Sequence, residues 1–136
     1  MREIKFRGRR KNSTEWVYGA FLTIPRLCSY IYDVQHGAPV LGLRFVVDPK
    51  TVGQFTGLRD CEGREIYEGD ILDITYISKH DYLRYCAVVQ WYDFGFMLKS
   101  LDSDCDDVSF SIMVTTDSRF KVIGNIHDNP ALLEES

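Results

Sequence analysis

The sequence has no apolar run that approaches ~18 residues, and this absence excludes a helix long enough to span a membrane. It begins Met-Arg-Glu-Ile-Lys-Phe-Arg, which is charged from the second residue and lacks the apolar region of a secretory signal. It also lacks a basic excess, because 16 basic and 20 acidic residues give a net charge of −4, which argues against a nucleic-acid coat protein. We therefore expect a cytoplasmic protein with no membrane partner.

Local signatures of metal sites and enzymes are missing as well. The chain has no Cys-x-x-Cys or His-x-x-x-His pair and no phosphate-binding, dinucleotide-binding, serine-hydrolase or zinc-protease motif. Its cysteines and histidines are widely spaced: Cys28, Cys61, Cys86, Cys105, His36, His80 and His127. Cys86, within Tyr-Cys-Ala-Val-Val, is expected to be a small buried side chain. The sequence therefore predicts no enzyme, no cofactor and no metal ion.

Two acidic segments offer alternatives to that prediction. Asp102–Asp107 begins like an EF-hand calcium loop, but the sixth position requires Gly and holds Asp107, and the twelfth requires Glu and holds Met113. A second acidic group could supply a general acid and a general base. It consists of Glu62, Glu65, Glu68 and Asp70. Because glycines surround this group, we interpret its members as turn residues, and we interpret Asp102–Asp107 as a solvated loop.

Apolar residues alternate with period two along most of the chain, which predicts a mainly β protein with very little helix. Five short strands between about Arg64 and Ile126 have the number and spacing of a small, bent SH3-like barrel. They run near 72–76, 85–91, 96–98, 108–114 and 120–126. An N-terminal β-rich segment precedes them. The break at Asp48-Pro49 predicts domains over 1–48 and 49–136, or else one continuous unit.

Smaller features complete the predicted fold. Polar turns are expected at 8–15, 35–37, 60–63, 68–70 and 78–81. One helix start is predicted, with an Asn cap at Asn129 and Pro130 in the first helical position. The run from Trp16 to Ile24 places five apolar side chains on one face: Trp16, Tyr18, Ala20, Leu22 and Ile24. Tyr82 and Tyr92 fall outside the predicted inward faces, so they are candidates for a contact patch.

Charge is unevenly distributed along the chain. Residues 1–68 carry 11 basic and 8 acidic side chains and residues 69–136 carry 5 and 12, which gives net charges of +3 and −7. Six basic residues lie within the first eleven positions, and four of them are in or next to the first predicted loop. The six are Arg2, Lys5, Arg7, Arg9, Arg10 and Lys11. These residues have three interpretations: a solvated hairpin tip, a phosphate-contacting loop, or one pole of a head-to-tail contact between copies.

Three segments resemble the YopX family of phage and prophage proteins. They are Thr51–Leu72 (Thr-Val-Gly-Gln-Phe-Thr-Gly-Leu-Arg-Asp-Cys-Glu-Gly-Arg-Glu-Ile-Tyr-Glu-Gly-Asp-Ile-Leu), Met1–Arg7 and Val122–Leu133. The family commonly continues its opening with an Ala-Trp-Asp-like stretch, where this chain has Gly8-Arg9-Arg10. The resemblance implies a mainly β protein with an SH3-type barrel in its C-terminal part, encoded by a phage or prophage and present in a bacterial cytoplasm. It implies no activity and no site residues.

Under this resemblance Gly57, Gly63 and Gly69 are expected to be turn glycines. The function predicted is that of a phage accessory protein that binds a protein partner or itself and performs no catalysis. The alternative is a small nucleic-acid-binding module that uses the basic loop at residues 7–11.

Overall fold

A computed structural model describes residues 3–33, 44–77, 82–93, 95–102, 104–113 and 118–134. The turns predicted at 35–37 and 78–81 lie outside these residues. The chain forms two compact units, Met1–Gly57 and Leu58–Ser136. The sequence predicts a boundary between independently folding domains after residue 48. Compactness alone does not establish independent folding, so this boundary stays a prediction.

The first unit is built from antiparallel strands. Their bounds are β1 Phe6–Arg9, β2 Trp16–Ile24, β3 Cys28–Asp33, β4 Arg44–Val47 and β5 Gly53–Arg59, with a 3₁₀ turn at Pro49–Thr51 before β5. They lie in the order β4-β3-β2-β1-β5, and β5 runs across the division between the units. Its core consists of Val17, Ile31 and Val47 with Phe6, Phe21, Phe45 and Val52 packed against them.

The sheet of the first unit curls until β1 and β4 meet at one end. The Lys11 N–H donates to the Val46 carbonyl at 3.0 Å, and the Asp48 N–H donates to the Arg9 carbonyl at 2.9 Å. Gly8 lies under this contact, where an added Cβ would be 3.0 Å from Ile31 Cδ1. The predicted loop at 8–15 is therefore wrong at its start, because Gly8 and Arg9 belong to β1.

Both faces of β2 carry apolar residues, and the structure shows which one is buried. Val17 and Gly19 are buried, whereas Leu22 and Ile24 are exposed. The predicted alternation along Trp16–Ile24 is confirmed. The face that carries Trp16, Leu22 and Ile24 is the more exposed one.

The second unit contains one five-stranded antiparallel sheet and a short strand, β6 Glu65–Tyr67. The sheet strands are β7 Asp70–Ile77, β8 Tyr82–Tyr92, β9 Gly95–Ser100, β10 Val108–Ser109 and β11 Arg119–Asn125. Their order is β10-β9-β8-β7-β11, so β8 is central, as its apolar residues predict. A mainly β fold is confirmed. The ladder between β10 and β11 does not close in the described part of the chain, and the SH3-like barrel stays a prediction.

Several predicted details are corrected by the second unit. The strand expected near 108–114 ends at Ser109, and the helix α1 follows at Phe110–Met113, where Phe110 is buried against Phe120 with ring centroids 5.3 Å apart. The helix predicted after Asn129 is a 3₁₀ helix at Pro130–Glu134. Gly63 and Gly69 lie in turns with φ of 82° and 91°, as predicted. Gly57, with φ of 87°, lies within β5 and is no turn residue.

The core of the second unit lies on one face of its sheet. Ten buried side chains form it: Ile66, Leu72, Ile74, Tyr85, Ala87, Val89, Leu98, Phe110, Phe120 and Val122.

Candidate functional site

The basic residues predicted as one loop have different environments. Arg7 is buried in β1, with its guanidinium carbon 4.8 Å from the centre of the Trp16 ring. The Arg10 guanidinium bonds to a Glu15 carboxylate oxygen at 2.9 Å. Two of these cations are thus engaged within the protein, which weakens the case for a phosphate site.

Arg9 and Lys11, the other two basic residues, differ in their exposure to solvent. Arg9 is half-buried, and its backbone N–H donates to Thr51 Oγ1 at 2.8 Å. Lys11 is exposed beside the β1–β2 turn. Lys11 is therefore the predicted basic residue that solvent or a partner reaches most readily.

Tyr82 and Tyr92 are 65% and 40% exposed, respectively, at the two ends of β8. A strand rises about 3.3 Å per residue, so ten steps separate their Cα atoms by about 33 Å. The structure does not bring these rings into one patch. Each stays a predicted contact residue on its own surface.

The acidic residues of the second unit hold backbone groups. Asp60 is 7% exposed and accepts hydrogen bonds from the N–H groups of Glu62 at 2.9 Å, Arg64 at 2.8 Å and Val122 at 3.0 Å. Burial acts to raise the pKa of Asp60, but these three donors and the Arg64 charge outweigh it, and the pKa is lowered. Asp60 therefore anchors the 60–63 turn to β11 as a carboxylate.

In the turn at 68–70, a buried aspartate again accepts a hydrogen bond from the backbone. Asp70 is buried, and its Oδ2 accepts from the Tyr67 N–H at 2.8 Å across the turn. Glu62 is exposed and lies 3.6 Å from the Lys121 ammonium. These contacts support the structural interpretation of the acidic group over the catalytic one.

Asparagine side chains hold the C-terminal segment. Asn125 Oδ1 accepts from the N–H groups of His127 at 3.0 Å and Asp128 at 2.9 Å, while Asn129 Oδ1 accepts from the Asn125 N–H at 3.2 Å. Gly124 lies beneath Asn129, and a Cβ at this position would be 2.5 Å from Asn129 Oδ1. This asparagine clamp, residues 124–129, fixes the chain after β11.

The carboxylates of the 102–107 loop also serve the backbone. Asp102 Oδ1 accepts from the Asp104 N–H at 2.9 Å, and Asp107 Oδ1 accepts from the Ser100 N–H at 2.9 Å. Ser103 lies outside the described residues. Among those described, no three His, Cys, Asp or Glu side chains gather as metal ligands.

Two thiols of the second unit are poor nucleophiles. Burial, followed by the Asp73 charge, raises the pKa of Cys86. Burial and the neighbouring aspartates, first Asp102, raise the pKa of Cys105. Nucleophilic attack needs a thiolate, so both groups are held in the less reactive form. Cys86 is half-buried, whereas the sequence predicted a buried side chain.

One surface of the first unit is exposed, apolar and cationic. Leu22, Tyr30 and Val46 form a row across β2, β3 and β4, because residues paired on neighbouring strands share a face. The Arg44 guanidinium carbon lies 4.7 Å from the centre of the Tyr30 ring. With Ile24, these residues are called the first-unit face. Leu22 is 45% exposed, and Val46 and Ile24 are each 37% exposed.

A groove of about 520 Å³ opens at the end of this sheet, beside the β2–β3 turn. Residues 11–12, 23–29 and 46–49 line it, and it is called the turn groove. Arg26 in the turn has φ of 65°, a left-handed conformation that side chains other than Gly and Asn seldom adopt. Leu27 beside it is 75% exposed.

Sequence reasoning missed both surfaces. The first-unit face depends on pairing between strands, and the turn groove depends on the curl that brings residue 11 near residue 47. The alternating Leu22 and Ile24 were the one local signal for the face. No helix in the described part of the chain is both long and apolar enough to cross a membrane.

The family model YopX, described as YopX protein, matches residues 5–134. The chain belongs to the YopX family. The crystal structure of protein EF1440 from Enterococcus faecalis is similar, with 29% sequence identity, a TM-score of 0.60, and coverage of 98% of this chain and 99% of that chain. No match was found among the curated proteins.

The YopX-like segments supply the clamps of the second unit. Asp60 and Asp70 lie within Thr51–Leu72, and the asparagine clamp lies within Val122–Leu133. The exposed residues Leu22, Leu27 and Val46 lie outside all three segments. Two of the three segments therefore supply these structural contacts, and the exposed residues of the first unit also lie within the part of the chain that the family model matches.

Proposed function

We propose that this YopX-family protein is a non-enzymatic protein-interaction module whose first unit supplies the contact surface. The first-unit face carries the proposal. It exposes Leu22, Ile24 and Val46 together, on a surface where the Arg44 guanidinium lies over the Tyr30 ring. Contiguous exposed apolar side chains with neighbouring aromatic and arginine groups are typical of protein interfaces.

The charges of the two units support a partner with an acidic surface. Residues 1–57 contain nine basic and four acidic side chains, a net charge of +5, and residues 58–136 contain seven and sixteen, a net charge of −9. Opposite charges steer two surfaces together and disfavour other partners. The second unit of another copy is one acidic surface of this kind, so self-assembly belongs to the proposal.

The absence of catalysis is part of the same proposal. The buried carboxylates Asp60 and Asp70 bind backbone N–H groups, and the pKa of Cys86 is raised. General acid–base chemistry needs a carboxyl group that is available to the substrate, and nucleophilic chemistry needs a thiol with a lowered pKa.

The finer claims rest on the resemblance to phage and prophage proteins. We place the protein in a bacterial cytoplasm as a phage or prophage accessory, and we relate the sheet of the second unit to an SH3-like barrel. Nucleic-acid binding is the alternative, and the net charge of +5 on the first unit is the observation that favours it.

The test is capture of partners by the tagged chain from phage-infected bacterial cells, with and without nuclease. The variant Leu22→Ser/Val46→Ser removes the apolar row, and Leu133→Ser, 36% exposed in the second unit, is the matched control. We expect one set of proteins to survive nuclease, to be retained by the control and to be lost with the face variant. Capture that nuclease abolishes would support the alternative, and capture unchanged by the face variant would contradict the proposed surface.

A further inference from the structure

The turn groove combines an apolar wall with accessible cations. Leu27 projects at its rim, and Ile24 and Val46 join the groove to the first-unit face. Lys11 and Arg26 line the same groove, and among the described residues neither has an ion-pair partner. The groove therefore offers two cations without a direct ion pair beside exposed hydrocarbon.

The turn groove also contains one acidic residue. Asp48 lines it, but its Oδ1 accepts from the Lys50 N–H at 3.0 Å, where it caps the 3₁₀ turn. This carboxylate holds the backbone and forms no direct ion pair with Lys11 or Arg26, but it keeps its negative charge. Two cations and one carboxylate give the groove a net charge of +1.

A second cleft adjoins the groove at the β1–β2 turn. It measures about 320 Å³ and shares Asn12 and Asp48 with the turn groove. Arg9 and Arg10 line it further along. The two clefts adjoin at Asn12 and Asp48, and a ligand that contacts both must be extended.

We propose that the turn groove binds an extended acidic segment of a partner protein, with one apolar side chain of that segment packed against Leu27. The carboxylates pair with Lys11 and Arg26, and the segment continues toward the second cleft. The inference rests on the proposed function, since it assigns the partner class and a specific site to the same unit. Apolar anchoring next to charge pairing separates this ligand from a nucleic acid, whose phosphates need only the cations.

The probe is a fluorescein-labelled pentapeptide with a central leucine flanked by glutamates, followed by fluorescence anisotropy at low salt. The protein variants are Lys11→Gln/Arg26→Asn and Leu27→Ser, and Asn is chosen because it tolerates positive φ. Lys50→Gln removes an exposed charge from the same unit outside the groove lining and serves as the matched control.

We expect Kd to rise about fivefold in Lys11→Gln/Arg26→Asn and to stay within about twofold in Lys50→Gln, because exposed charge pairs contribute modestly and locally. Leu27→Ser, or serine in place of the central leucine, is expected to weaken binding by a similar factor. The inference would be overturned if Lys50→Gln raised Kd as much as Lys11→Gln/Arg26→Asn does. It would also be overturned if neither Leu27→Ser nor the serine peptide changed Kd. A labelled oligothymidylate that binds more tightly than the peptide and ignores Leu27→Ser would also overturn it.

The groove variants are also used in the capture experiment from infected cells. Loss of the nuclease-resistant partner in Leu22→Ser/Val46→Ser but not in the groove variants would reject the groove and leave the proposed function standing. Absence of any partner that depends on the first-unit face would reject the proposed function itself.

Discussion

Each unit contains a tight turn between two strands, and the residues that form the two turns differ in kind. In the second unit, the 60–63 turn has Gly63 at the position with φ of 82°, and Asp60 accepts three backbone N–H groups. In the first unit, the turn between β2 and β3 places Arg26 at φ of 65° and closes with the Leu27 N–H on the Ile24 carbonyl at 3.0 Å. One turn is shaped by backbone requirements, and the other keeps a strained residue.

That difference separates a turn whose side chain serves the backbone from a turn whose side chains face solvent. A non-glycine residue at positive φ has a local energetic cost, so its side chain is a candidate for a role outside the fold. Arg26 and Leu27 then display a cation and an apolar group to solvent. On this account, stability depends on the 60–63 turn of the second unit, and binding depends on the β2–β3 turn of the first.

The largest expected effect belongs to Asp60→Ala. It removes the acceptor of three N–H groups, one of them the buried Val122 N–H, and we expect the free energy of unfolding to fall by about 3 kcal/mol. Urea denaturation measures this. Glu62→Ala, in the same turn but exposed, should change stability by no more than about 0.5 kcal/mol. Similar losses in both variants would contradict the anchoring role of Asp60.

Gly124→Ala should have the next largest effect. The added Cβ would displace Asn129 and disturb the asparagine clamp, so we expect a loss of about 2 kcal/mol. Gly63→Ala has open space around its Cβ and is expected to lose about 1 kcal/mol from backbone strain alone. Thermal unfolding of the two variants compares them, and a smaller loss in Gly124→Ala than in Gly63→Ala would contradict the clamp.

Acidification should weaken the protein through Asp60. Its pKa in the folded state lies below the ordinary value of 3.8, so the unfolded chain takes up the proton first as pH falls. The stabilisation is present above pH 4 and is lost as pH drops further. Urea midpoints between pH 5 and pH 3 should fall less steeply in Asp60→Asn than in the wild type. Parallel slopes would show that Asp60 does not contribute.

The smallest effect separates stability from binding most clearly. Arg26→Asn relieves the positive-φ strain and should raise the free energy of unfolding by about 0.5 kcal/mol, because Asn tolerates this conformation. The same variant should bind the acidic pentapeptide more weakly. A destabilised Arg26→Asn variant would mean that the arginine serves the fold after all.

Local chemistry made the second unit predictable. The turn at 60–63 combines an Asp acceptor with a terminal glycine, and both features are visible in four consecutive residues. The centre of the sheet at β8 was predictable because residues 85–91 are apolar on both faces. The strand predicted beyond Ser109 was wrong, since Phe110 reaches the core from a helical turn.

The first unit resisted prediction because its surfaces depend on contacts distant in sequence. Arg7 and Arg10 looked like one basic loop, yet Arg7 lies over Trp16 and Arg10 lies 4.8 Å from the centre of the Phe45 ring. The apolar residues of both faces of β2 left the buried face undecided until the strand partners were known. The turn groove exists only after the sheet has curled.

The most direct test compares affinity with stability for the partner recovered by the wild-type protein. Calorimetric titration would use the wild type, Leu22→Ser/Val46→Ser and Asp60→Asn at a temperature where all three are folded. We expect the face variant to lose at least about tenfold in affinity, since interface anchors contribute most of the binding energy, and Asp60→Asn to lose stability but keep its affinity. Full affinity in the face variant, or an affinity that follows stability, would contradict the division between a structural second unit and a binding first unit.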